Sequence, residues 1–380
     1  MKYPMQDKII KYEPKEHQCF EYTYERALIR SNSANDCSFR TCALFTVAIL
    51  SVEVLVVILV VLFSDDSVKV PLNQRYFDNN FQKYIDEYPD NMTMQEFLLQ
   101  YDSICEIKDH ANTCPCVSPY LKGPINLTNP DPGKPVKAGG TWQPSICKPR
   151  QKLAVIVPFL DRDAHLKIFL SILHPMLQRQ LLDYTIFVVE QSSPERFNKA
   201  AIMNAGFLEV NKLGNFDCII FHDVDMLPED DRNFYACSKS FRHVGSHLSK
   251  WNYTVPYRAI FGGAISMPPK LFRQCNGYSN DFWGWGGEDD DMFKRVIAQQ
   301  LRILRFPKTA SSYQMIKHDR DRRNPPFQFA YLANRWRPIR YKQEGLNSVK
   351  YEVDKIEYRP LYTWIMMKIL NAQIGVYPQN

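Results

Sequence analysis

From Leu153 onward the chain repeats one pattern: a short apolar run, a stretch with helical spacing, then another apolar run. Leu153-Ala-Val-Ile-Val-Pro is followed by helical spacing from His165 to Leu182. Tyr184-Thr-Ile-Phe-Val-Val-Glu is followed by helical spacing from Phe197 to Val210, and Asp217-Cys-Ile-Ile-Phe-His is a third run. Runs this short and this uniformly apolar suit strands buried on both faces, as in a parallel sheet. Strand, helix, strand, helix, strand therefore predicts right-handed βαβ units and an α/β fold. Ligands of such sheets bind beyond the carboxyl ends of the strands. The first strand-to-helix turn holds Pro158-Phe-Leu-Asp-Arg, so the GxGxxG dinucleotide fingerprint is absent there.

Three clusters could carry chemistry. The third strand runs into Asp223-Val-Asp225. Carboxylates at i and i+2 beyond a strand end can face one hard cation, which can neutralise a departing diphosphate. The same spacing also suits a solvated acidic turn; its place at the ligand edge favours a site. The second cluster is Trp283-Gly-Trp-Gly-Gly-Glu-Asp-Asp-Asp291. Glycines allow close backbone approach, tryptophans can stack on sugars, and an acid can serve as a base. Helical spacing from Glu288 to Gln299 also lets Asp290 and Asp291 complement a helix dipole. The third is Met315-Ile-Lys-His318, where His318 is a metal ligand, an acid–base group or a structural histidine.

Residues 42–63 form an apolar run long enough to cross a bilayer as a helix, with Glu53 as its single charge. That charge costs roughly 2.5–3.5 kcal/mol near the bilayer centre, which the surrounding Val, Leu and Ile offset. The mean hydropathy of −0.35 reads as soluble because it averages this run with a mixed-charge remainder. Charges flanking the run are nearly balanced, so sequons and cysteines set the orientation. Asn91, Asn126 and Asn252 each begin an Asn-X-Thr sequon. Seven cysteines follow the run without zinc-like pairs, which favours disulfides in an oxidising lumen and leaves one thiol over. The reading is a cytosolic tail (1–41), a transmembrane signal anchor (42–63), a luminal stem (64–113) and a catalytic domain (114–380). Thr93 is a candidate cap for a short helix in the stem. The net charge of +6 is spread along the chain and gives no nucleic-acid footprint.

Together these pieces resemble the β-1,4-galactosyltransferase family (glycosyltransferase family 7). The resemblance runs from about Cys114 to Leu370. It rests on Val157-Pro-Phe-Leu-Asp-Arg, Phe197-Asn-Lys-Ala, Asp223-Val-Asp, Phe261-Gly-Gly, the Trp283–Asp291 run, Met315-Ile-Lys-His and Gly345-Leu-Asn-Ser. It implies a GT-A (Rossmann-like nucleotide-sugar) glycosyltransferase domain behind a single N-terminal transmembrane helix, in the Golgi membrane with the catalytic domain luminal. It implies Mn²⁺ held by Asp225, Met315 and His318. Pro158, Phe159, Arg162, Phe197, Lys199, Asp223, Val224, Lys250, Ile260 and Trp285 would bind the UDP-sugar donor, with Trp285 on a closing loop. Gly286, Gly287, Glu288 and Asp289 would bind a β-GlcNAc-terminated acceptor, Asp289 as the base and Glu288 beside it. Disulfides Cys114–Cys147 and Cys218–Cys237 are implied as well.

Three departures qualify the resemblance. The family has Arg where this chain has Leu160 and Lys199, which weakens a bidentate grip on phosphate. Galactose-using members carry Tyr where this chain has Ile260. Loss of that ring makes room for a C2 acetamido group, as in the N-acetylgalactosaminyltransferase members. The expectation is therefore inverting transfer from UDP-GalNAc in β1,4 linkage to terminal β-GlcNAc. The alternatives are a UDP-Gal transferase and a membrane-anchored sugar-binding protein without turnover.

Overall fold

A computed structural model describes residues 79–104, 112–192, 196–317 and 340–370. The apolar run 42–63, the tail before it, Cys105 and His318 lie outside the described residues. Among the described residues no helix is long and apolar enough to cross a membrane.

In chain order the elements begin with β1 (Ile85–Glu87), α1 (Met94–Ile104), β2 (Thr141–Trp142), β3 (Lys152–Phe159) and α2 (Asp163–Arg179). Next come β4 (Asp183–Gln191), α3 (Lys199–Leu213), β5 (Cys218–His222), β6 (Met226–Pro228), β7 (Phe241–His243) and β8 (His247–Leu248). Then follow β9 (Ala264–Met267), α4 (Pro269–Gln274), α5 (Glu288–Ala298), β10 (Ile303–Arg305), β11 (Ser312–Met315), β12 (Tyr351–Tyr358) and β13 (Thr363–Ile369).

The main sheet runs β1–β10–β7–β9–β5–β3–β4–β13–β12, with β2 on β4. At its centre β3 lies parallel to both neighbours, Val155 level with Ile186 of β4 and Ile220 of β5. Alternation along β3 sorts the core into two layers. Leu153, Val155 and Val157 face Phe169, Leu173 and Leu177 of α2. Ala154 and Ile156 face Ala201, Ala205 and Phe207 of α3. Burial on both faces explains why these strands are apolar throughout. Gly206 lets α3 approach the sheet, since a Cβ there would lie 2.9 Å from Val189.

Beyond the βαβ centre, β9 is antiparallel to both β5 and β7. A second sheet, β6–β11–β8, is built from the segments that follow β5, β10 and β7. The segment expected as stem contributes β1, which pairs with β10 at the sheet edge, Asp86 level with Leu304. The expected cap is present: Thr93 Oγ1 accepts from Glu96 N, and Glu96 Oε2 accepts from Thr93 N, a reciprocal capping box. Cys114 is bonded to Cys147 and Cys218 to Cys237. Cys116 is also disulfide-bonded, and Cys275 is a buried free thiol. Asn91, Asn126 and Asn252 are exposed.

Candidate active site

The Asp223–Asp225 loop leaves the carboxyl end of β5 and is anchored from both sides. Asp223 N donates to Gly263 O at 3.0 Å. His222, fully buried, contacts the Asp223 carbonyl through Nδ1 at 2.9 Å and Tyr235 Oη through Nε2 at 2.8 Å. Burial pushes His222 down to about 4, so it is neutral at pH 7. A carbonyl only accepts, so Nδ1 carries the proton and Nε2 accepts from Tyr235. Tyr235 then accepts from Tyr313 of β11, 2.6 Å away. This chain ties the loop to the second sheet.

That sheet brings two expected metal ligands together. β11 runs antiparallel to β6, placing Met315 level with Met226, the residue after Asp225. Ile316 N donates to Asp225 O at 2.8 Å. Asp225 is buried and Met315 half-buried. His318 follows three residues on, outside the described residues. Among the described residues no three His, Cys, Asp or Glu side chains are placed to hold a metal ion by themselves. Asp225, in the loop just before β6, and Met315 of β11 therefore make up the described part of the expected set.

The acids lie at the N-terminus of α5, capped by Gly287 in the left-handed region at φ 96°. Lys199, opening α3, joins them to the loop: Nζ lies 2.8 Å from Asp223 Oδ1 and 3.4 Å from Glu288 Oε1. Burial opposes the Lys199 charge, but Asp223 and Glu288 outweigh it and hold the ammonium above its usual value. Burial raises Glu288 to about 6 despite that cation. Burial, then the neighbouring Asp290, raises Asp289 to about 6. Tyr257 Oη donates to Asp290 at 3.1 Å. Gly262 makes room for Asp289, whose Oδ2 stands 2.4 Å from where a Cβ at 262 would lie. At φ +84° Gly263 aims its carbonyl at Asp223, and a Cβ there would meet Met226 Sδ at 2.3 Å.

The remaining expected donor residues line the same edge. Pro158 and Phe159 end β3, Arg162 precedes α2, and Val224 is buried in the loop. Phe197 O accepts from Gly284 N at 2.8 Å, fixing the start of the tryptophan loop. Trp285 projects from that loop at 68% exposure, with Lys250 Nζ 6.0 Å from its ring and Gly286 behind it at φ 99°. Ile260 is buried, and its carbonyl accepts from Arg305 Nη2 at 2.7 Å. His222, Tyr235, Tyr313 and Arg305 support the site without being foreseen. Each is a lone residue, and only Phe261-Gly-Gly carried a sequence signal for the Asp289 contact.

Residues 114–238 match the family model described as the N-terminal region of glycosyl transferase group 7. Residues 242–319 match that described as the N-terminal domain of galactosyltransferase. The chain is 40% identical over 266 residues to β-1,4-galactosyltransferase 2 of Cricetulus griseus, covering 67% of this chain and 72% of that protein. It is 39% identical over 282 residues to β-1,4-galactosyltransferase 3 of Homo sapiens, covering 70% and 69%. A crystal structure of a mutant Drosophila β-1,4-galactosyltransferase 7 with manganese, UDP-Gal and xylobiose is similar, with a TM-score of 0.50 and 29% identity. That match spans 58% of this chain and 94% of the other. These likenesses give the sheet and its flanking helices the GT-A glycosyltransferase fold.

Proposed function

The chain belongs to glycosyl transferase group 7, the β-1,4-galactosyltransferase family, and from that premise we propose an inverting transfer of a galactose-type sugar from its UDP donor to a sugar hydroxyl. The observation that carries the reading is the convergence of Asp223, Lys199, Glu288 and Asp289 at the carboxyl edge of the central strands. UDP-galactose is the first-choice donor, supported by the named activity of the relatives and by the UDP-Gal in the Drosophila structure.

Asp289 acts as general base on the acceptor hydroxyl, O4 of a terminal β-GlcNAc. Its raised pKa near 6 keeps it mostly ionised at neutral pH and basic enough to take a proton. The acceptor oxygen attacks the anomeric carbon from the face opposite UDP, and the bond from that carbon to the diphosphate oxygen breaks. An α-linked donor thus gives a β product. Glu288, held by Lys199, is placed to bind sugar hydroxyls. Asp225, just before β6, and Met315 of β11 would hold Mn²⁺ together with His318, as in the family, the carboxylate being the donor that suits a hard cation. When bound, the metal neutralises charge on the departing diphosphate.

A second reading, UDP-GalNAc as donor, rests on Ile260. An aliphatic side chain stands just before Phe261-Gly-Gly, where a ring would crowd a C2 acetamido group. Full-length protein is offered UDP-Gal and UDP-GalNAc with a β-GlcNAc acceptor, and the product linkage is read by NMR. Preference for UDP-Gal supports the first reading. Preference for UDP-GalNAc, reversed toward UDP-Gal in Ile260→Tyr, supports the second. No metal-dependent transfer from either donor overturns both.

We place the catalytic part in the Golgi lumen behind a single-pass anchor at residues 42–63. The apolar run, the disulfides and the exposed sequons support this. A mass loss on N-glycosidase treatment checks it, and an unmodified chain from secretory-pathway expression would count against it.

A further inference from the structure

Strand β1 lies ahead of residue 114, where the first family model begins to match, yet it reaches the candidate active site through one row of side chains. Register sets the row. Glu87 of β1 stands level with Arg305 of β10, and Arg305 stands level with His243 of β7. Level residues on neighbouring strands project to the same face of a sheet. Three polar side chains from distant parts of the chain therefore stand side by side. Arg305 and His243 are each 1% exposed. Glu87 pairs with Arg305 Nη1 at 2.6 Å, and Tyr88 N donates to Arg305 O at 3.2 Å.

The row acts on the backbone of the loop that enters β9. Arg305 Nη2 donates to Arg258 O at 2.8 Å and to Ile260 O at 2.7 Å. His243 Nε2 meets Gly262 O at 2.9 Å. A carbonyl only accepts, so Nε2 carries the proton. Burial, then the Arg305 charge, keeps the His243 ring neutral. Side chains thus hold three alternate carbonyls, at 258, 260 and 262, in a stretch that belongs to no strand. What this loop carries bears on the reaction. Ile260 is the residue on which the choice of donor turns. Gly262 rests against Asp289, and the next carbonyl, Gly263 O, accepts from Asp223 N at 3.0 Å. A shift of the loop reaches the donor edge and the base together.

We infer that Glu87, Arg305 and His243 are positioning residues for the transfer, a role that rests on the transferase reading, and that β1 belongs to the catalytic unit rather than to a spacer. Glu87 orients the guanidinium, the guanidinium and His243 set the loop, and the loop sets Asp289. Holding one carboxylate and two carbonyls at fixed angles is a task for a planar fork of donors.

Full-length protein carrying Glu87→Leu, His243→Phe or His243→Gln is assayed for transfer to a β-GlcNAc acceptor from UDP-Gal and from UDP-GalNAc. His243→Phe should lower kcat about 10- to 100-fold, and Glu87→Leu about 3- to 10-fold. Calorimetric affinity and stoichiometry for UDP with Mn²⁺ should stay within about twofold of wild type, whereas loss of folded protein would lower the stoichiometry. His243→Gln, whose amide nitrogen can reach the same carbonyl, should recover kcat to within about threefold of wild type. In an Asp289→Asn background His243→Phe should cost little more, since both act through one carboxylate. Hydrogen exchange read by mass spectrometry needs no turnover. Amides of residues 257–264 should exchange at least ~10-fold faster in Glu87→Leu and His243→Phe, with those of α2 unchanged. If wild type transfers from neither donor, the transferase reading falls, and exchange alone decides whether the row sets the loop. Four results each overturn the proposal: kcat within about twofold of wild type in Glu87→Leu and His243→Phe, equal losses for Phe and Gln at 243, a fully additive loss over Asp289→Asn, or unchanged exchange in the loop.

Discussion

Replacing Gly262 by alanine is expected to cut turnover about 100-fold while leaving the fold and UDP binding intact. A Cβ at 262 would stand 2.4 Å from Asp289 Oδ2, 3.3 Å from its Cγ and 3.4 Å from its Cβ. Relaxed contacts are about 3.5 Å, so the carboxylate end must move by about 1 Å. Gly262 is not among the positive-φ residues, so alanine adds no backbone strain. The collision therefore falls on the proposed base. A displacement near 1 Å can cost about 10²-fold in rate, or about 2.7 kcal/mol of barrier. Stability should hold, because restricting the unfolded chain offsets a side-chain shift by about 0.4–1 kcal/mol. Radiolabel transfer gives kcat, titration with UDP and Mn²⁺ gives donor affinity, and urea midpoints report stability. Adding Gly262→Ala to Asp289→Asn should cause little further loss, since both act through one carboxylate. Turnover of Gly262→Ala within about threefold of wild type would refute the reasoning, as would an equal loss of UDP binding.

Asp289→Asn should lower kcat by about 10²–10⁴-fold and leave UDP affinity nearly unchanged by calorimetry; near-normal turnover would remove Asp289 from its role. With Asp289 and Glu288 both raised to about 6, kcat/KM should fall as the medium is acidified through pH 6, and a flat profile there would contradict a carboxylate base. The stability sign runs the other way. A carboxyl raised in the folded state binds its proton more tightly there, so its contribution is present at low pH and lost as pH rises through about 6. Asp289→Asn should therefore raise the Tm at pH 7 relative to wild type, and calorimetry showing a lower Tm would refute the sign. Lys199→Ala leaves the partly exposed Asp223 and the buried Glu288 without their cation. Discounted for partial exposure, it should cost about 1–3 kcal/mol by urea unfolding, and a loss below about 0.5 kcal/mol would deny Lys199 its bridging role.

Much of the centre was legible because its strands are buried on both faces and read as continuous apolar runs. The predicted Leu153, Tyr184 and Asp217 runs became β3, β4 and β5 with ends shifted by a residue or two. The helix expected to reach Leu182 stops at Arg179, because Leu181 turns into the left-handed region at φ 57°. The antiparallel strands were not legible. β7 has three residues and β9 four, too few to show a period. β12 is largely exposed and charged, and owes its strand to pairing with β13.

By itself the sequence determined the kinds of chemical group available and their local frames. It set carboxylates after a strand end, glycines beside tryptophans, acids opening a helix, and a thioether three residues before a histidine. These are short-range facts, carried by neighbouring residues. Tertiary structure alone decided which groups meet. Lys199, read as a phosphate contact, lies between Asp223 and Glu288, and Asp289 rests against Gly262. Met315 comes level with Met226, next to Asp225, through a strand pairing that no local pattern announced. Such meetings join residues far apart in the chain, where only packing and strand register set the distance.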